Sequence, residues 1–285
     1  MLNVERLAFG YQKFVQSRAT KKGRRNRAVS PAISTVIVTG AVVSLVTVAL
    51  AYANNLLLYR LAASEFDSSK QFMKTIGLQI DDVAWVVGLT ETVRYSSRHG
   101  DVKLESALNY TIYVNDQVLY SNISNIICFN MPTSQYSIAN DYFELIYPSD
   151  NEFLSEGSSA PVTRVSVVQR SPMADGSFVR LVDVPIIRMV QSTIADTTYV
   201  RLYLPILRIG ETPRKSQSVS LTGNSIVTMI EEGVTEIKVE LNFPQSSFDN
   251  FFFKFPYTEK SVALAESAVL ELYVGTIDVS LGVHN

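Results

Sequence analysis

Cysteine occurs once, as Cys128, tryptophan once, as Trp85, and histidine twice, as His99 and His284. A lone cysteine excludes an intrachain disulfide, so whatever folds here must be held by its own core, which a β domain of about 195 residues is large enough to build. The chain has no H-E-x-x-H, no G-x-S-x-G, no P-loop and no dinucleotide fingerprint. His99 lies in Ser97-Arg98-His99-Gly100-Asp101, which reads as a turn, and His284 sits beside the terminus, where chains fray. The adjacent carboxylates Asp81-Asp82 and Glu231-Glu232 read as solvated faces or turns. The expectation is therefore no enzyme, no cofactor and no metal site. Two further gaps are positional: no charged residue occurs between Arg27 and Arg60, and no proline between Pro31 and Pro132.

What fills the uncharged gap is Val, Ile, Leu and Ala, interrupted by Ser, Thr, Gly40 and Tyr52. A bilayer core needs roughly 20 apolar residues as a helix, and Pro31 to Ala53 supplies them without the polar stripe of a soluble core helix. Pro31 suits a first helical turn, where its missing N–H costs nothing. Gly40 and Ser44 stand four apart, as do Thr35 and Thr39, a spacing that lets helices pack closely in lipid. Ahead of this run lie eight Lys/Arg and one Glu, so residues 1–27 carry +7 and the remainder −9, which together give the chain's −2. Basic flanks stay cytoplasmic, which predicts an acidic bulk facing outward. The position of the basic stretch, directly against an apolar span, favours a role in membrane insertion over nucleic-acid binding.

The junction reads Arg24-Arg25-Asn26-Arg27-Ala28-Val29-Ser30-Pro31, followed by Ala32-Ile33-Ser34-Thr35-Val36-Ile37. It resembles the class III signal peptides of archaeal type IV pilins and archaellins. That resemblance implies a prepilin peptidase that cuts between Ala28 and Val29 and leaves the apolar segment in place. Arg24, Arg25, Arg27, Ala28 and Val29 are then the processing residues, and other pilin subunits become possible partners. Bacterial pilins carry Glu at the fifth mature position, which here is Ile33; archaeal relatives commonly lack it. Two other fates compete: a secretory peptide cut after Ala49-Leu50-Ala51 or Ala51-Tyr52-Ala53, and an uncleaved anchor. The first of these would need an apolar region of about 18 residues where roughly 7–15 is usual.

Beyond the span, Tyr59, Ala62, Phe66, Met73, Ile76, Ile80, Val83 and Val87 keep 3–4 spacing with a gap at Ser69. That is a helical seam, to be packed on the chain's own outer domain or against neighbouring copies. Trp85 reads as a packing anchor. From Thr90 the period becomes two, as in Tyr110/Ile112/Val114, Val200/Leu202/Leu204/Ile206 and Thr235/Ile237/Val239/Leu241/Phe243. Turns are expected at Asn115-Asp116 and at Gly223-Asn224. A kink or bulge is expected at Gly275-Thr276, a loop between Tyr147 and Pro161, and a strand over Phe251–Phe253. Asn109-Tyr110-Thr111 and Asn122-Ile123-Ser124 fit the N-glycosylation rule, which makes Asn109 and Asn122 candidate glycan sites. The expected architecture is α+β: a leader over 1–28, a membrane or filament-core helix over 29–58, an amphipathic stalk over 59–89, and an antiparallel, sandwich or jelly-roll-like extracellular β domain over 90–285. Two functional readings follow: a minor or accessory pilin-like envelope protein, or a non-polymerising, single-pass anchored binding or sensory domain.

Overall fold

The computed structural model describes residues 31–171, 173, 176–210 and 216–282. One helix, α1 (Pro31–Val83), opens it without a break. Eleven strands follow: β1 (Thr90–Arg94), β2 (Asp101–Val114), β3 (Gln117–Pro132), β4 (Tyr142–Tyr147), β5 (Leu154–Glu156), β6 (Thr163–Arg170), β7 (Phe178–Pro185), β8 (Ile187–Ile194), β9 (Thr197–Ile209), β10 (Ser218–Asn242) and β11 (Glu259–Leu281). A single turn of helix, α2 (Asn250–Phe253), separates the last two. The chain divides into two compact units, Met1–Asn54 and Asn55–Asn285.

Within the first unit the described residues are helical and exposed on every side. β-branched residues crowd this stretch and would weaken a helix in water. Thr47 Oγ1 donates to the Val43 carbonyl at 2.9 Å, pairing the hydroxyl within the helix.

In the second unit the strands form one sheet in the order β4-β6-β7-β3-β2-β10-β11-β9-β8-β5, with β1 beside β10. The pairing is mostly antiparallel, as the alternation predicts, but β9 runs parallel to β11 and β5 parallel to β8. Neighbouring residues of the same strands feed two cores. Ile126, Cys128, Val182 and Val184 join Tyr110, Ile112, Leu202, Leu204, Leu270 and Leu272 in one. Ile127, Phe129, Leu181, Val165 and Val167 join the helix residues Phe66, Met73, Ile76 and Ile80 in the other. Both faces of β3 and β7 are therefore covered, one of them by the second half of α1. Each of those helix side chains contributes about 1.5–3 kcal/mol by leaving water.

The helical seam meets the chain's own sheet. Ala62, Phe66, Ser69, Met73, Ile76, Ile80 and Val83 are buried, so Ser69 fills its place in the row and returns its hydroxyl proton to Glu65 O at 2.9 Å. Tyr59 and Val87, at the ends of the seam, are exposed. Gly77 marks a close approach: a Cβ there would stand 2.8 Å from Val165 Cγ2.

Several local expectations need correction. Asn115-Asp116 is the β2–β3 turn, with φ of 48° and 66°, the two positive values of a tight hairpin. Gly223-Asn224 is no turn; β10 continues through it, and the register with β11 slips between Gly223 and Ser225. The bulge expected at Gly275-Thr276 thus falls on the partner strand, opposite those residues. A second pair of slips, between Glu231 and Glu236, places Val234 inside and Thr235 outside, reversing the face expected at that end of the run. The 147–161 stretch contains β5. Phe251–Phe253 is helix rather than strand, because Asp249 caps it by accepting from Phe252 N at 2.9 Å; Phe252 and Phe253 are buried and Phe251 is exposed.

Candidate functional site

The feature that most departs from an ordinary soluble domain is the run from Ala32 to Leu61, in which every residue is exposed. Val36 and Tyr52 are each 71 % exposed, and Leu45 70 %. Scattered apolar side chains on a surface need no explanation, but a continuous sleeve of them does. α1 is long and apolar enough to cross a bilayer. Its charge-free part ends at Arg60, and burial begins two residues later at Ala62.

Where the apolar run ends, a polar clasp holds the helix to the β domain. The connection between β1 and β2 wraps around the Glu65 carboxylate. Oε1 accepts from Ser97 Oγ at 2.5 Å and from the backbone N–H groups of Arg98 and His99 at 3.0 Å each. Oε2 meets His99 Nδ1 at 2.9 Å. Gly100 N bonds Ser97 Oγ at 2.8 Å, which closes the turn. Burial alone would raise the Glu65 pKa; the hydrogen bonds from Ser97 and His99 and the His99 charge outweigh it and hold the carboxyl below its ordinary value. Serine and histidine each address the carboxylate directly rather than each other, so this is not a nucleophile–base relay. The arrangement fixes a loop onto a helix.

A second polar group lies on the outward face of β8, β9 and β11 beside the end of α1. Trp85 meets Tyr203 edge-on at 5.3 Å, and Tyr203 stacks on Tyr273 at 5.1 Å. Arg188 lies over Tyr203 at 4.5 Å and 3.7 Å from Asp81, while Arg201 pairs with Glu271 at 2.6 Å. Burial raises the Asp81 pKa, against the pull of Arg188 and of the Trp85 indole N–H. Asp81 is therefore a tether, while Asp82 beside it is exposed. Glu231 and Glu232 line a shallow notch of about 280 Å³ with Asn115 and Val118 at the β2–β3 tip. Among the described residues no three His, Cys, Asp or Glu side chains gather as a metal site would require.

Buried charge occurs inside the β domain. Arg164 is wholly enclosed, with its guanidinium 3.9 Å from the Phe255 ring centre and one N–H on Asn151 Oδ1 at 2.6 Å. Burial lowers its pKa to about 9. Asp183, also enclosed, faces the α1 side between Ile127 and Val165, and burial pushes its carboxyl well above the usual range.

Of the residues singled out in the sequence, Arg24, Arg25, Arg27, Ala28, Val29 and His284 lie outside the described residues. Asn109 lies half-exposed on the outer face of β2; its Oδ1 is 3.5 Å from Ser121 Oγ. Asn122, on β3, donates to the Tyr120 hydroxyl at 2.9 Å. Cys128 is buried in the core, as its apolar neighbours predict. The clasp was invisible to spacing, since Glu65 and His99 stand 34 residues apart. Arg188, Arg201, Tyr203, Glu271 and Tyr273 likewise come from three strands and carry no local signal. No protein-family model, curated protein or solved structure matches the chain.

Proposed function

We propose that this chain is an archaeal type IV pilin-like cell-envelope protein, a minor or accessory subunit anchored by, or assembled through, its N-terminal helix. One observation carries the reading: a single α1 whose first half is apolar and bare and whose second half is committed to its own β domain. A helical stretch left exposed among the described residues suits a different solvent, either lipid or the helices of other subunits. If subunits assemble, lipid contacts are exchanged for helix–helix contacts, and the hydrophobicity of the segment is kept.

On this reading residues 1–28 are a basic leader held in the cytoplasm and removed by a prepilin peptidase between Ala28 and Val29. Residues 29–58 are the membrane or filament-core helix, 59–89 the stalk, and 90–285 the extracellular domain. The two cores on opposite faces of a curled sheet favour a sandwich-like packing of that domain. Asn109 and Asn122 are its candidate glycan sites. The chain is not an enzyme and needs no cofactor.

Intact-mass or N-terminal determination on the protein from native membranes tests this directly. The expected product begins at Val29, and A28D leaves the leader attached. A product beginning near Tyr52 or Asn54 refutes retention of the helix. An uncleaved Met1 with no protein in sheared surface filaments supports the anchored, non-polymerising domain instead.

A further inference from the structure

β10 is joined to β11 along one edge for nearly its whole length, whereas its other edge is shared out. β1 takes Ser218–Thr222 and β2 takes Ile237–Asn242. Gly223 is occupied by the loop after α1, through Gly88 N and Leu89 O at 2.8 and 2.9 Å. The Asn115 side chain ties Gly233 O and the N–H groups of Thr235 and Glu236. Asn224–Glu232 remains, and among the described residues no strand lies along that side.

This open edge is unlike a guarded one. Between Ser225 and Glu231 it holds Ile226, Val227, Thr228, Met229 and Ile230, with no lysine, no proline and an unbroken register. Natural sheets blunt exposed edges with such devices, because unpaired backbone is a template for another strand. Ile226, Val227 and Ile230 are 37 %, 45 % and 60 % exposed. The bulges that flank the segment limit the opening to these nine residues.

We propose that this edge pairs with the same edge of a second copy of the chain, antiparallel about a twofold axis at Thr228. The edge is complementary to itself in that register alone. Val227 then opposes Met229, Ile226 opposes Ile230, Ser225 opposes Glu231 and Asn224 opposes Glu232. Apolar side chains meet apolar ones, each acid meets a neutral polar group, and no two carboxylates face each other. Centring on Met229 instead would set Val227 and Ile226 against Glu231 and Glu232. Centring on Val227 would call on Gly223, which is already bonded. Ile226, Thr228 and Ile230 share the outward face with Tyr273, the strand partner of Thr228, so pairing joins the outward faces of the two copies. A twofold contact of this kind consumes its own edge and stops at two chains. It does not depend on trimming of the leader or on filament assembly.

The test uses the full chain in nanodiscs. Directly opposed residues in an antiparallel pair have Cα atoms about 4.5–5.5 Å apart, which a disulfide can span, and the native Cys128 is buried. T228C is expected to give a disulfide-linked dimer on a non-reducing gel. S225C, three residues from the axis, is expected to stay monomeric, since its two copies lie roughly 20 Å apart. Adding I226K and I230K to T228C abolishes the dimer. Adding I226K and I230E restores it, because position 226 of one copy faces position 230 of the other. Equal cross-linking at 225 and 228, no cross-link at 228 in protein whose thermal melt matches wild type, or a T228C adduct with a different protein would each overturn the proposal. So would wild-type protein that sediments as a single chain at every concentration and is indistinguishable from I226K/I230K.

Discussion

Glu65 is the residue on which the helix and its domain agree. Five polar groups converge on one carboxylate, all of them from the loop over residues 97–100, which the Gln217 side chain also holds through the Ser97 backbone. Because the folded pKa is depressed, the clasp contributes its full stability above the ordinary glutamate value of 4.5 and loses it as pH falls through the lower, folded value. Thermal melts in mildly acidic buffer should therefore decline below about pH 4.5 in wild type, with that part of the slope missing from E65Q. At neutral pH the same substitution should cost about 1–3 kcal/mol, the range for stranding hydrogen-bond donors near a buried charge. An E65Q melt that matches wild type at pH 7 would reduce the clasp to a surface contact. None of this was legible beforehand: His99 reads as a turn residue, and only the fold brings a helix carboxylate to it.

Among the elements, α1 was the most readable and β10 the least. The seam from Ala62 to Val83 follows from spacing alone, and even its polar interruption at Ser69 proved to obey the helical geometry. β10 misled because Gly223 and Asn224 carry turn chemistry that serves another purpose. A Cβ on Gly223 would stand 2.3 Å from Val86 O and 2.7 Å from Val83 O, and one on Gly275 2.3 Å from Ala84 O. These glycines let the end of α1 come down on bare backbone, a demand that no local pattern reveals. The short α2 was hidden behind three phenylalanines, although Asp249 ahead of them is a capping residue that could have been read. G223A is expected to lower the melting temperature of the β domain sharply, by the equivalent of about 3 kcal/mol or more, since the clash is with backbone that cannot rotate away. G40A, with nothing within 4 Å, should leave that melt unchanged. Equal melts for the two variants would mean that the helix end can shift aside.

At the scale of the whole molecule, a bare apolar helical stretch and a β domain with its own cores share one chain. Residues from Ala62 onward belong to that domain, while every described residue from Ala32 to Leu61 is exposed. Replacing Val42 and Val46 together with Asp places charge in the middle of the sleeve, at about 2.5–3.5 kcal/mol per residue in a bilayer. The double variant should be released from membranes by alkaline carbonate while the melt of its β domain stays at the wild-type value. Loss of both properties together would mean that the sleeve is part of the fold. The long apolar helix was legible in the charge-free run; the two-sided burial of the sheet was not, because alternation reports one wet face and β7 and the second half of β3 have none.

The glycine contacts at Gly223 and Gly275 have a mechanical consequence. The end of α1 and the loop after it meet not pliable side chains but the main chain of β10 and β11, the two longest strands among the described residues, which are hydrogen-bonded side by side between their register slips. A push or pull on that helix end is met by backbone, which cannot turn aside as a side chain can.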